Sequence, residues 1–328
     1  MKGILFFPSA LVFAFSSFAQ TERTVINNSS IAFTIPEKDL IPENLAYNPA
    51  EKCFYVGSTH KRKVVKVTPD GKISDFIKEQ QDGEWMVVGM KIDTMRNILW
   101  FCSAIGDVMK GYHDGDFGAH AGIFKYDLSS GRLIKRYLPE QSSELHFFND
   151  LVLNREGDVF ITDMAGKAIY SISSVNDELK ILCRPSDFSD PNGICISPDE
   201  QTLFVATNEG ISSVNIQTGK GTLLKHPAEL KTNGIDGLYF HQHSLIAVQS
   251  GVNRIIQFFL NNSMDEIVSN KILEENYPFF TMNPTTGVIV GNTLYYIANS
   301  QFGSFDSNHQ IFPMYKLYEV VILKVVLN

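Results

Sequence analysis

Six times along this chain a turn is followed by a short apolar run, at intervals of 45, 61, 43, 44 and 50 residues. The runs are Glu43-Asn44-Leu45-Ala46-Tyr47, Val88-Gly89-Met90-Lys91-Ile92, Asn149-Asp150-Leu151-Val152-Leu153, Asn192-Gly193-Ile194-Cys195-Ile196, Asp236-Gly237-Leu238-Tyr239-Phe240 and Thr286-Gly287-Val288-Ile289-Val290. A repeat of this period marks a propeller, because one unit cannot bury its own apolar faces and must lean on its neighbours. Within each unit a turn rich in Pro, Asp, Gly or Asn leads to a second strand, for example Val159-Phe160-Ile161-Thr162-Asp163 or Leu203-Phe204-Val205-Ala206-Thr207. A third follows, as in Val64-Val65-Lys66-Val67. No stretch sustains a helical period, so the expectation is an all-β, six-bladed β-propeller with four-stranded antiparallel blades.

The sixth unit supplies three strands of its own, ending in Val320 to Leu327. Its fourth is expected from Ile31-Ala32-Phe33-Thr34-Ile35, which would staple both ends of the ring. Two separate β domains are disfavoured, since no linker-like break in composition interrupts the repeats.

Stacking the repeats aligns the first residue of each run into a column: Glu43, Val88, Asn149, Asn192, Asp236, Thr286. Arranged radially, four of the six bring carboxylate or amide oxygens to one axis, the donor set of a hard divalent cation. Taken singly, each has a plainer explanation as an Asx turn or a solvated carboxylate. Four unrelated turns have no reason to place an oxygen donor at the same repeat position, whereas a metal on the axis requires it.

Residues 1–19 have the three parts of a secretory signal peptide: Met1-Lys2, the apolar run Ile4 to Phe15, and Ser17-Phe18-Ala19 before cleavage. Export to the periplasm or the extracellular space is therefore expected, with residues 20–328 as a single propeller domain. No Cys follows the cleavage site, and no later apolar run reaches the ~18 to 20 residues of a membrane helix. The net charge of -8 lacks the basic stripe a phosphate backbone requires, which argues against a nucleic-acid partner. Oligomeric state is not legible. Cys53, Cys102, Cys183 and Cys195 all lie in apolar runs without metal-ligand spacing; export would permit a Cys183–Cys195 disulfide, but core packing is the simpler expectation. In the second unit, Ala104 to Ala121 forms an inserted loop carrying His113, Asp114, Asp116 and His120. It is either a cover for the channel mouth, with His113 and His120 as pocket residues, or a solvated loop.

Pro42-Glu43, Asn149-Asp150, Pro191-Asn192-Gly193 and Asp236-Gly237, in this order and spacing, resemble the senescence-marker-protein, gluconolactonase and luciferin-regenerating-enzyme-like family. The resemblance implies a six-bladed propeller with a divalent metal at the end of its channel, held by Glu43, Asn149, Asn192 and Asp236. It also implies Asp236 as catalytic base. Ca²⁺ is the expected ion, with Mg²⁺, Mn²⁺ or Zn²⁺ as alternatives, and a small-molecule lactone or ester the expected substrate. A non-catalytic metal-containing propeller that binds a ligand or partner protein is the rival; a strictosidine-synthase-like ligase lacks a Glu base that can be placed. Two positions depart from the family pattern: Asn44 stands where Gly is usual, and Phe147 where sugar-lactonase members carry Arg. With Phe148, Phe279 and Phe280, Phe147 suggests an apolar pocket, or else packing between blades.

Overall fold

A computed structural model of the chain describes residues 25–327, apart from 141–142, 187 and 276–282. The signal-peptide expectation for residues 1–19, and Phe279 and Phe280, lie outside the described residues. Strand β1 spans Ser30–Ile35. Blade 1 follows as β2 (Pro42–Asn48), β3 (Cys53–Ser58), β4 (Lys63–Val67) and β5 (Ile73–Ile77), and blade 2 as β6 (Met86–Asp93), β7 (Ile98–Ala104), β8 (Ala121–Asp127) and β9 (Leu133–Tyr137). Blade 3 is β10 (Phe148–Leu153), β11 (Val159–Asp163), β12 (Ala168–Ile172) and β13 (Leu179–Cys183). Blade 4 is β14 (Ile194–Ile196), β15 (Thr202–Thr207), β16 (Gly210–Asn215) and β17 (Gly221–Leu223). Blade 5 is β18 (Leu238–His241), β19 (Ser244–Gln249), β20 (Arg254–Leu260) and β21 (Ile267–Glu275). The last blade runs β22 (Gly287–Val290), β23 (Thr293–Ile297), β24 (Val320–Val326) and then β1.

The burial of each strand follows from its radius. All five residues of β11 are buried, since a blade's middle strands are covered on both faces by neighbouring blades and so read as continuous apolar runs. The outermost strand of the same blade, β13, buries none of its residues fully, and β9 alternates. Cores form between blades: that of blades 2 and 3 contains Val88, Cys102, Ile123, Leu151, Ile161 and Tyr170. The turns are built by residues suited to them, as at Asp70-Gly71, where Gly71 takes φ +80 and donates to Thr68 O at 2.8 Å.

Ring closure is as the sequence suggests. β1 pairs antiparallel with β24, from Ser30 against Lys324 to Ile35 against Val320. Upstream, Ile26 exchanges both backbone hydrogen bonds with Glu275, and the Asn28 and Ser29 N–H groups donate to the buried Glu274 carboxylate at 2.9 and 2.7 Å. The N-terminal segment thus ties blade 5 to blade 6. All four cysteines are free thiols. Among the described residues no helix is long and apolar enough to cross a membrane.

Candidate functional site

Each inner strand enters the channel through a bulge in which two residues oppose one. Val88 and Gly89 face Cys102, Asn149 and Asp150 face Thr162, and Glu43 is the extra residue between Pro42 and Asn44. Asn192 and Gly193 both bond to Ala206, and Asp236 and Gly237 both bond to Val248. A bulge re-aims a side chain out of the pleat, so the first member of each pair turns away from the sheet at the channel end. In blade 6 the doubled pair is Thr285 and Thr286 opposite Ile297, which puts Thr285, rather than the expected Thr286, in register with the column. Both hydroxyls donate to the Glu43 carbonyl and fasten blade 6 to blade 1.

The second bulge residue explains the recurrent glycine. A Cβ on Gly193 would lie 2.2 Å from Asp236 O, and one on Gly89 2.4 Å from Asn149 O and 2.8 Å from Asp150 Oδ1. Neighbouring blades approach too closely there for a side chain. Asn44, Asp150 and Thr286 break this pattern and carry buried polar groups.

Glu43, Asn149 and Asp236 are each more than nine-tenths buried. Burial first, then the charges of Asp236 and Asp150, hold the Glu43 carboxyl well above the usual carboxylate range. Burial and the Asp150 charge push Asp236 up to about 7, against a hydrogen bond from the Asn192 side chain that acts the other way. Asn192 Oδ1 is buried without a hydrogen-bond partner, and the Asn149 amide nitrogen is turned to Met164 Sδ at 3.9 Å. Two buried carboxylates repelling each other beside an orphaned amide oxygen is an arrangement a dication would relieve, so the donor set fits the implied metal. Among the described residues no three His, Cys, Asp or Glu side chains gather as a metal group; this set is two carboxylates and two amides.

The sequence did not single out the layer beneath. Asp150 is 1 % exposed and accepts from Lys91 Nζ at 3.1 Å and from the N–H groups of Leu151 and Ile194. Lys91 Nζ also lies 5.9 Å from the Tyr239 ring centroid, and Tyr239 Oη accepts from Gly287 N at 2.6 Å. Asp150 thus carries one buried negative charge answered by one lysine. The presence of Asp where three other blades have glycine (Gly89, Gly193 and Gly237) was the available signal.

Above Glu43 the channel opens into a cavity of about 240 Å³ lined by Met86, Asp107, Val108, Phe117, Phe147 and Phe302, with Gly106. Phe147 stacks on Phe117 at 5.3 Å and 12°. Phe148, one residue on, is fully buried against Tyr170 instead. The insertion does reach the mouth, but through Val108 and Phe117. His113 sits in an exposed turn, and His120 faces sideways onto Trp85 (5.4 Å, 6°), so neither lines this cavity. The physical reason is local: Gly118 takes φ +67, and its N–H is bonded back to Ile105, which reverses the chain between Phe117 and His120. His309 from the blade-6 loop clasps the insertion, its Nδ1 3.2 Å from the acceptor Asp107 O and its Nε2 3.0 Å from the acceptor Asp114 Oδ1, with its ring edge on Tyr112. From below, His60 Nδ1 donates to Val108 O at 2.8 Å and its ring meets Phe305.

Compared with known proteins, residues 101–270, more than half of the chain, match the family model described as SMP-30/Gluconolactonase/LRE-like region. No curated protein matches in sequence. Among solved structures, the major Malassezia sympodialis allergen Mala s 1 is similar with a TM-score of 0.68 and 13% identity, over 91% of this chain and 96% of that one. A gluconolactonase from Xanthomonas campestris gives 0.60 and 15%, over 89% and 88%. Virginiamycin B lyase from Staphylococcus aureus gives 0.58 and 15%, over 92% and 100%. At these identities the likeness is one of fold.

Proposed function

The chain belongs to the SMP-30/gluconolactonase/LRE-like family, and on that premise we propose that it is an exported, metal-dependent hydrolase of a lactone or related ester. The observation that carries the reading is the pair of buried, repelling carboxylates Glu43 and Asp236, with Asn192 bonded to Asp236 and its own oxygen orphaned, Glu43 lining the cavity at the channel mouth. Glu43, Asn149, Asn192 and Asp236 would hold the ion, with Ca²⁺ matching an all-oxygen set best. When bound, such an ion supplies Lewis-acid polarisation of the scissile carbonyl.

The protein's own groups do the rest. Asp236, its carboxyl raised towards neutrality by burial, takes the proton of the attacking water at a carboxylate oxygen. Asn192 fixes that carboxylate through its side-chain hydrogen bond. Asp150, held by Lys91 and two backbone N–H groups, is the neighbouring carboxylate whose charge acts on both Glu43 and Asp236. Phe117, Phe147 and Phe302 line the approach, exclude water and offer apolar surface to the substrate. Export is supported by the charged start, apolar middle and small residues at 1–19.

The test is turnover of a panel of lactones and aryl esters by the mature protein, with and without chelator. Metal-dependent turnover supports the proposal. Tight Ca²⁺ binding without turnover of any panel member would favour the rival, a propeller that binds a ligand or partner.

A further inference from the structure

A concavity larger than the one at the channel mouth lies between blades 2 and 3, a cavity of about 480 Å³ walled by Trp85, Ala119 to Ala121, Leu138 to Glu140, Glu144 and His146. A second cavity of about 370 Å³ continues from it, sharing Glu140, Glu144 and His146 and adding Tyr170, Lys180 and Arg184. The inserted loop is the partition: Phe117 faces the channel, and His120 faces this cleft. Leu138 and Ile181 on its rim are 49% and 48% exposed, a large apolar investment for side chains facing water.

At the floor stands His146, 6% exposed. Its Nδ1 is taken by the fully buried Asp163 at 2.6 Å, and Asp163 also accepts from the N–H groups of Phe147 (2.9 Å) and Gly166 (3.0 Å). A carboxylate so placed fixes the ring and takes the Nδ1 hydrogen bond, so that Nε2 is the acceptor of the neutral tautomer on the cleft side. Trp85, stacked on His120, supplies an aromatic wall. The first cavity thus presents two carboxylates, two imidazoles (His146 at its floor and His120 against Trp85) and an indole, and among the described residues no Lys or Arg lines it. Arg184 answers Glu144 at 2.8 Å from the adjoining cavity.

We propose that this cleft is a second ligand site, separate from the channel, that takes an organic ammonium with an attached apolar group. The ammonium donates to His146 Nε2 and the glutamates and lies against Trp85, while the apolar part covers Leu138 and Pro139. The volume is that of an ordinary small-molecule pocket.

The probe is phenethylammonium, with 2-phenylethanol as its neutral counterpart, followed by calorimetry and by tryptophan fluorescence. Trp100, the other indole, is buried, so a fluorescence change reports Trp85. The ammonium is expected to bind at least ten times more tightly than the alcohol. Glu140→Gln, at an exposed position, is expected to weaken it about tenfold with the fold intact, and Trp85→Phe to abolish the optical signal. Asp236→Asn, in the channel, is expected to leave the affinity unchanged. Equal binding of alcohol and ammonium, insensitivity to Glu140→Gln, or loss of binding in Asp236→Asn would each overturn the proposal. So would a transition-metal ion that binds the cleft through His146 and displaces the ammonium.

Discussion

The axis and the rim of this propeller use the same residue types in opposite ways. At the rim, Asp177 receives Lys135 at 2.6 Å, Lys125 at 3.6 Å and the Tyr137 hydroxyl. Partial burial works against it, yet those hydrogen bonds and charges bring its carboxyl below the ordinary value. Lys63 likewise bridges Glu37 and Asp75. At the axis, Glu43 and Asp236 are buried near other carboxylates and are pushed the other way. The difference separates groups placed for stability from groups held at a cost in stability, and unfavourable clusters of that kind are where chemistry is found.

The rim's dependence on β1 offers the largest effect. Removing residues through Ile35 leaves β24 as an exposed sheet edge and releases the ties to Glu274 and Glu275; most of the roughly 5 to 15 kcal/mol that holds a domain of this kind should be lost. Removing residues through Ala19 alone should leave thermal melting unchanged. Equal melting of the two truncations would mean that the rim is not closed by this strand.

At the axis, Asp236→Ala should weaken Ca²⁺ binding by about 10 to 100-fold, and Asn192→Ala by less, since the first removes a charge as well as a donor. Metal titrations that rank them equally would remove the distinction between the charged and neutral donors. Substrate choice should follow the collar. The protein should turn over an aliphatic or aryl lactone with a higher kcat/KM than glucono-δ-lactone. Phe147→Arg should narrow the ratio by about tenfold, because one buried charged hydrogen bond contributes ~1.5 to 3 kcal/mol. A wild-type preference for the sugar lactone would show that Phe147 does not select.

The two regions should also differ in the sign of their pH dependence. In the metal-free protein, raised carboxyls at Glu43 and Asp236 contribute stability that is present below their unfolded values and lost as pH rises through about 7. The depressed Asp177 contributes above its unfolded value and loses its share as pH falls. Chelated protein should therefore melt lower at pH 8 than at pH 5, and Ca²⁺ should raise the melting temperature more at pH 8. A chelated protein more stable at pH 8 would contradict this sign. The smallest effect belongs to Lys135→Ala: the pair is more than a third exposed, and screening should hold the change to about 1 kcal/mol or less.

Strand order, blade number and the ring-closing segment were all legible in the sequence, because blades impose a spacing and a burial gradient that short apolar runs betray. The column was legible for the same reason. What the sequence hid were features set by bulges and cross-blade contact. Asp150 directly follows a column residue and reads as part of a turn, while its partner Lys91 stands in another blade. Thr285 and Thr286 are adjacent and alike, so the register of the doubled pair could not be assigned without its hydrogen bonds. In the insertion, the histidines drew notice for their chemistry, yet the turn at Gly118 sends Phe117 to the channel and His120 to the side.

The pairing of β1 with β24 also orders events in time. β1 is among the first segments of the described chain to be made, and its partner is among the last, so its backbone groups wait unpaired until Val320 to Val326 have emerged. Contacts between such distant segments form late, after the nearer hairpins have lowered the cost of bringing the ends together. Blades 1 to 5, each made of consecutive strands, can assemble progressively, but the ring cannot lock before β24 has been made. A chain lacking β24 would therefore carry five finished blades and an open seam, with β1 left without its partner.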